Sequence, residues 1–323
     1  MQHYFAPLEG LTDHIYRRLH HKYFPGVDRY YTPFLSPTAH QKLTSREARE
    51  LPPADSLDAP TVPQLLTKNA ADFLWAAEQC AQRGYTQVNF NAGCPSGTVV
   101  AKGKGAGMLA DLDGLDRFLD AVCSASPVAI SVKTRLGMEA PEEFVRILEI
   151  YDRYPIAELI VHPRIRREFY KSPVHSEWFQ YAQENCKLPL CYNGDLCSPE
   201  EISALCERFP KTRAVMLGRG LIGDPGMLSP GGTQADVLEA FCAELLEGYI
   251  RSFGGPRNAM FRMKEHWRYL LCRFEDGQKI GKQLRKTTDV AEYQALIARL
   301  FREHPLKARL EPDWRSGDAV HLM

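Results

Sequence analysis

The residues able to do chemistry in this chain gather where short apolar runs end. One run, Gln87-Val88-Asn89-Phe90, leads into Asn91-Ala92-Gly93-Cys94-Pro95-Ser96, which presents a thiol between a glycine and a proline. A cysteine on a short loop at the carboxyl end of a strand stands where barrel enzymes keep their reactive groups. The other run ends are also rich in functional groups. They are Pro7-Leu8-Glu9, Gln64, Lys133 with Arg135, His162 with Arg164, Asn193-Gly194-Asp195 and Gly218-Arg219-Gly220.

Each of these groups suggests a partner. Lys133 closes an apolar strand, where burial disfavours its charge unless an anion is close. A reduced flavin, negative on its pyrimidine side, is a suitable anion, and Gln64, Asn91 and His162 offer hydrogen bonds to a ring edge. Glycines after the seventh and eighth runs let backbone N–H groups approach a phosphate, and Arg219 adds charge. Gly103-Lys104-Gly105-Ala106-Gly107 follows a loop rather than a strand, with no acidic residue placed to close a ribose pocket. A dedicated dinucleotide fold is therefore not expected.

These ends need a scaffold that makes them converge, and the periodicity supplies one. Eight apolar runs recur: 3–6, 29–32, 61–65, 87–90, 128–133, 159–162, 188–192 and 214–217. Helical patterns fall between them, at about 70–83, with Phe73, Leu74, Ala77 and Cys80 on one face, and at 112–123 and 141–154. Ser198 and Glu201 form a capping-box pattern at the start of another helix. Nearly continuous apolar strands alternating with helices predict an α/β chain folded as a (β/α)8 TIM barrel. After Pro230-Gly231-Gly232 the pattern becomes purely helical, at about 234–253, 257–275 and 288–303. The expected organisation is a barrel over 1–230, an all-helical domain over 231–310 and a tail over 311–323, with the chain after Pro305 polar and loosely attached.

Composition narrows the partners. The 323 residues are 44% hydrophobic, with 40 Lys and Arg balancing 40 Asp and Glu, so no global field points to a polyanion or a membrane. Residues 241–310, however, hold 14 basic against 8 acidic residues. That segment suits a polyanionic partner. The 9 cysteines include no CxxC pair, and Cys186, Cys191, Cys197 and Cys206 fit no zinc spacing, so no metal site is expected. Their odd number, with no leader segment and no apolar run of membrane-spanning length, predicts reduced thiols in a cytoplasmic protein.

With these residues in place, the chain resembles the tRNA-dihydrouridine synthases, FMN-dependent reductases of uridine in tRNA. The matching pieces are Ala6-Pro7-Leu8-Glu9-Gly10, Gln64, Asn91-Ala92-Gly93-Cys94-Pro95-Ser96 and Gly105-Ala106-Gly107-Met108-Leu109. They continue with Val132-Lys133-Thr134-Arg135-Leu136-Gly137, His162 with Arg164, Asn193-Gly194-Asp195, Gly218-Arg219-Gly220 and the helix Arg262-Met263-Lys264-Glu265-His266-Trp267. The resemblance implies Cys94 as proton donor. It implies FMN held by Pro7, Leu8, Glu9, Gln64, Lys133, His162, Asn193, Gly194, Asp195, Gly218 and Arg219. Asn91, Arg135 and Arg164 would meet the uracil. NADPH would serve as transient reductant, and the basic helical domain would grip tRNA through residues such as Lys264, Arg268, Lys282, Arg285 and Lys286. The protein is expected to act as a monomer. Two other readings share the flavin barrel or its fold: an FMN oxidoreductase of a free small molecule, and an RNA-binding relative without catalysis.

Overall fold

The computed structural model describes residues 1–315. Its strands are β1 (Gln2–Phe5), β2 (Arg29–Tyr31), β3 (Thr61–Val62), β4 (Gln64–Leu65), β5 (Gln87–Ala92), β6 (Ala129–Arg135), β7 (Glu158–His162), β8 (Leu190–Asn193) and β9 (Thr212–Leu217). They lie in the order β3-β2-β1-β9-β8-β7-β6-β5-β4. The strands at the two ends of that order, β3 and β4, are chain neighbours separated by Pro63 alone, so the sheet closes on itself.

The sequence predicts one strand over 61–65, but the ladder breaks at Pro63, which has no N–H to give. The Pro63 carbonyl still accepts from Asn89 N at 2.8 Å, and Gln64 N donates to Thr32 Oγ1 at 2.9 Å. Counting β3 and β4 together, this is the expected eight-stranded barrel, and the C-terminal region is helical, also as expected. No helix among the described residues is long and apolar enough to cross a membrane.

The chain gathers into two compact units. The first contains Met1–Pro7, Asp28–Gly194 and Ala204–Met216; the second contains Leu8–Val27, Asp195–Ser203 and the described residues from Leu217 onward.

In the first unit, helices Ala70–Ala81 and Leu112–Ala125 start at the side-chain caps Asn69 and Asp111. They lay Phe73 and Phe118 against Phe90 of β5, with ring centroids 5.9 and 4.6 Å away. Phe73, Ala77 and Cys80 are buried as their spacing predicts; Ala76 joins them and Leu74 is only half-buried. Burying a phenylalanine side chain stabilises by roughly 1.5–3 kcal/mol. The Phe90 face of β5 therefore looks toward the helices, and the alternate face, carrying Asn89 and Asn91, looks into the barrel.

In the second unit, helices Ala235–Phe253, Pro256–Leu270, Gly277–Lys286 and Val290–Glu303 bury Leu238, Phe241, Cys242, Leu245, Met263, Trp267, Leu284 and Leu300. Trp267 Nε1 donates to Tyr293 Oη at 2.8 Å. His266 is stacked on Tyr16, centroids 4.9 Å apart and planes 10° from parallel, and its Nε2 lies 3.0 Å from Tyr249 Oη.

Helix Gly277–Lys286 is absent from the sequence prediction, because two glycines depress the local propensity. They are there for proximity. A Cβ on Gly277 would come within 2.4 Å of the Leu271 carbonyl oxygen, and one on Gly281 within 2.8 Å of Leu271 Cδ1.

The chain after Pro305 is held, contrary to expectation. Glu275 N donates to Pro305 O at 3.0 Å, Lys307 N donates to Arg273 O at 2.8 Å, and Leu310 and Trp314 are buried beside Cys197 and Cys272. The remainder of the predicted tail, 316–323, lies outside the described residues.

Candidate active site at the carboxyl ends of the strands

Register assigns the inward face of the first unit. Gln64 of β4 pairs with Asn89 of β5, which pairs with Ser131 of β6, and Ser131 pairs with Glu158 of β7. Two residues further along each strand the same face brings Asn91 beside Lys133, and two further still Arg135 beside His162. Cys191 and Asn193 of β8 follow on this face, through the pairing of Ile160 with Cys191. The dispersed residues Gln64, Asn91, Lys133, Arg135, His162 and Asn193 thus share one surface.

The lower layer is a closed hydrogen-bond chain. Asn91 Nδ2 donates to Gln64 Oε1 at 2.7 Å, Gln64 Nε2 to Asn89 Oδ1 at 2.8 Å, and Asn89 Nδ2 to Ser131 Oγ at 2.9 Å. Ser131 Oγ in turn donates to Val88 O at 3.3 Å. Gln64, Asn89 and Ser131 are buried, so each bond left unmade costs roughly 1–3 kcal/mol. The chain orients Asn91, whose Oδ1 accepts from Gly93 N at 3.1 Å and Cys94 N at 2.9 Å. From the other side the Cys94 carbonyl accepts from Ala106 N at 3.0 Å. Gly105 permits that approach. It sits at φ +57°, and a Cβ there would come within 2.9 Å of Cys94 O and 3.0 Å of Cys94 Cβ. Cys94 itself is half-buried.

Arg135 ties this loop to the next strand. Its Nε donates to Gly93 O at 2.9 Å and its Nη1 to Ile165 O at 3.1 Å, while Nη2 is buried with no hydrogen-bond partner. The guanidinium lies 5.1 Å from the ring centroid of Tyr170, and that ring is stacked 5.9 Å from His162. Arg164 Nη1 is 2.8 Å from His162 Nε2, and Arg164 Nε donates to Ser172 O at 2.6 Å. Arg164 is 1% exposed and is spent on anchoring this loop. Burial, reinforced by the Arg135 charge, lowers the Lys133 ammonium to about 8. Lys133 is half-buried, and its Nζ forms no hydrogen bond or ion pair with the described residues.

The other predicted residues have local roles. Asn193 Nδ2 donates to Met216 O at 2.8 Å, and a Cβ on Gly194 would come within 2.9 Å of Val174 Cγ1. Pro7 is half-buried at the end of a segment of the first unit. In the second unit Leu8 N donates to Thr12 Oγ1 at 2.8 Å, and Glu9 is exposed. Arg219 Nη2 is paired with Asp195 Oδ1 at 2.7 Å, with Asp195 in the left-handed region at φ +48°. Gly218 precedes the short helix Arg219–Gly223. Among the basic residues, Lys282, Arg285 and Lys286 are exposed on one helix, whereas Lys264 donates to Thr287 O and Arg268 is half-buried.

Two cavities of about 420 and 330 Å³ open among Gly84, Tyr85, Thr86 and the starts of β5 and β6, and no predicted site residue lines either. They lie at the opposite strand ends from Cys94. The residue missed by sequence reasoning is Tyr170, and its signal was an aromatic pair, Phe169-Tyr170, inside the basic stretch Arg164–Lys171.

The family model described as dihydrouridine synthase (Dus) matches residues 4–297. A tRNA-dihydrouridine(16) synthase of Pseudomonas syringae pv. tomato is 30% identical over 318 residues, covering 92% of this chain and 98% of its own. A probable tRNA-dihydrouridine synthase 1 of Synechocystis is 27% identical, covering 90% and 84%. Morphinone reductase shares the fold, with a TM-score of 0.50 at 12% identity over 70% of this chain and 84% of its own. With a family model spanning nearly its whole length, and the motif cysteine on its strand-end loop, the chain belongs to the dihydrouridine synthase family.

Proposed function

We propose that this chain reduces the C5–C6 double bond of uridine in tRNA to give dihydrouridine, with FMN as its flavin and NADPH as the reductant. The observation that carries this reading is the placement of Cys94. Its loop is fixed from both sides, at the edge of a face that also holds Lys133 and Arg135. The residues fit a flavin. Lys133 is a cation in a desolvated place with no counter-ion of its own, and an electron-rich ring edge would supply one. Gln64 and His162 would line the same ring, with Asn193 and Gly194 further round the barrel. When bound, reduced FMN supplies the hydride that adds to C6.

The protein's part is to place the base and provide a proton. Cys94 donates its thiol proton to C5, so its useful form is the neutral thiol. Asn91 holds the cysteine loop through Oδ1 and keeps one amide N–H beyond its bond to Gln64 for the base. Arg135 offers its unpartnered Nη2 to a ring oxygen, where negative charge grows during the reaction. Arg164 supports these groups by holding the segment after β7.

The uridine must leave its stack to be reached, at a cost of a few kcal/mol. Exposed Lys282, Arg285 and Lys286 would offset this through phosphate contacts, making affinity fall with salt. The decisive experiment maps dihydrouridine in tRNA from a strain lacking this protein. One class of uridine should remain unreduced there, and purified protein with FMN and NADPH should restore it. An unchanged dihydrouridine map, with no restoration in vitro, would overturn the reading.

A further inference from the structure

The segment after β7 presents a second aromatic ring that the chemistry above does not use. Phe169 is 36% exposed and has φ +52° and ψ −101°, a backbone conformation rare for a bulky residue. An exposed ring gains little from burial, so the fold maintains this geometry by other means. Glu168 is the clamp: its Oε2 accepts from Ile165 N at 2.9 Å and its Oε1 lies 2.8 Å from His175 Nε2. Arg166 N donates to Gly137 O at 2.8 Å, and Lys171 N to Glu168 O at 3.0 Å. The next residue, Tyr170, rests on Arg135 and His162, so Phe169 stands one residue outside the uridine face.

The charge around the ring suits a nucleic acid. The half-buried Arg166 places its guanidinium 5.2 Å from the Phe169 ring centroid, with its Nε buried and without a hydrogen-bond partner, so that only the outer guanidinium nitrogens can meet a phosphate. Exposed Lys171 and Arg167 flank the pair, Arg167 held by an exposed ion pair with Glu139 at 3.1 Å that a phosphate would compete for, while the acidic Glu168 is engaged by its backbone and His175 contacts. A flat ring with cations beside it matches a base stacked next to its phosphates.

Resting on the tRNA reading above, we propose that Phe169 is the wedge that stabilises uridine flipping. Its ring stacks on the nucleotide next to the target, filling the place the uridine vacates, while Arg166 contacts the adjoining phosphate. A rigid loop suits this role, because a mobile ring would have to be ordered at each encounter.

Two variants separate the ring from the backbone strain. Phe169→Gly relieves the positive φ and deletes the ring; Phe169→Trp keeps a ring and the strain. On folded tRNA, Phe169→Gly should lose about 10- to 100-fold in kcat/KM, as expected for one lost base stack. On a short unstructured RNA, whose uridine is already unstacked, the loss should shrink to within about threefold, because little flipping cost remains. Phe169→Trp should retain activity, and its added indole fluorescence should be quenched when tRNA binds. Reduction of the flavin by NADPH should be unchanged in both.

Three results overturn the wedge: Phe169→Gly working as well as the parent on folded tRNA, equal losses on both RNAs, or Phe169→Trp losing as much as Phe169→Gly. A parent that reduces no tRNA uridine overturns the proposed function, and the wedge with it. An active parent paired with an unaffected Phe169→Gly variant overturns the wedge alone.

Discussion

Asn91 Oδ1 accepts hydrogen bonds from the backbone N–H groups of Gly93 and Cys94, so the amide two strand positions beyond Asn89 sets where the thiol points. Asn91→Ala removes the single acceptor of both bonds and the donor to Gln64 Oε1. A stability loss of roughly 1–3 kcal/mol is expected from the stranded buried groups. Uridine turnover should fall further than the thermal midpoint alone explains. Denaturant unfolding together with steady-state kinetics checks this; a variant with parental turnover would show that Cys94 needs no such anchor.

Cys94→Ala should leave NADPH oxidation by the bound flavin intact and lower uridine reduction by roughly 10²–10⁴, the usual contribution of a positioned acid. Stopped-flow flavin spectra read the first half-reaction, and dihydrouridine analysis the second. Equal loss in both halves would assign the thiol to flavin binding instead of proton donation.

Lys133 gives a pH signature. Its ammonium is lowered to about 8 by burial, from an unfolded value of 10.5. Between those values the unfolded chain holds the proton and the folded protein does not. Stability of the flavin-free protein should therefore rise with pH across that window. Lys133→Met should lack this rise and be at least as stable at neutral pH, yet fail to retain flavin. Unfolding titrations at pH 7.5 and 9.5, compared between parent and variant, isolate the residue.

Tyr170 is 46% exposed, so Tyr170→Ala should change stability by no more than about 0.5 kcal/mol. It uncovers the Arg135 guanidinium and should raise KM for tRNA by roughly 5- to 30-fold, the worth of a lost cation–π and stacking contact. Tyr170→Phe keeps the ring and should recover most of that loss. Parental kinetics for Tyr170→Ala would remove the ring from the site.

His266 is fully buried, and desolvation holds its imidazole down at about 3. The depressed value means that its contribution is present above the unfolded value of about 6.5 and lost as pH falls toward 3. At pH 5 the loss should be about 2 kcal/mol. His266→Phe keeps a ring between Tyr16 and Tyr249 and should flatten this dependence, read by denaturant midpoints at pH 7 and pH 5. An unchanged slope would place the acid sensitivity on other groups.

Much of the barrel was legible because its cues are local. Apolar runs with β-prone residues mark the strands, and Ser198 with Glu201 marks a helix start, where Glu201 N donates to Ser198 Oγ at 3.2 Å. The Gly277–Lys286 helix was hidden for a physical reason. Its glycines disfavour helix in isolation and are repaid only by close approach to Leu271, which lies outside the helix. The hold on the chain after Pro305 was likewise invisible, since its polar composition conceals the contacts of Leu310 and Trp314.

The sequence by itself determined the motif loop around Cys94, the order of strands and the polar character of their ends, because these depend on residue type and short spacing. Tertiary structure alone decided how those residues divide their work. It turned Asn91 toward the cysteine backbone and closed the barrel through Pro63. It left Lys133 without a counter-ion and set Tyr170 over Arg135. Each of these outcomes depends on groups far apart in the chain whose hydrogen bonds and desolvation exist only once the strands are in register.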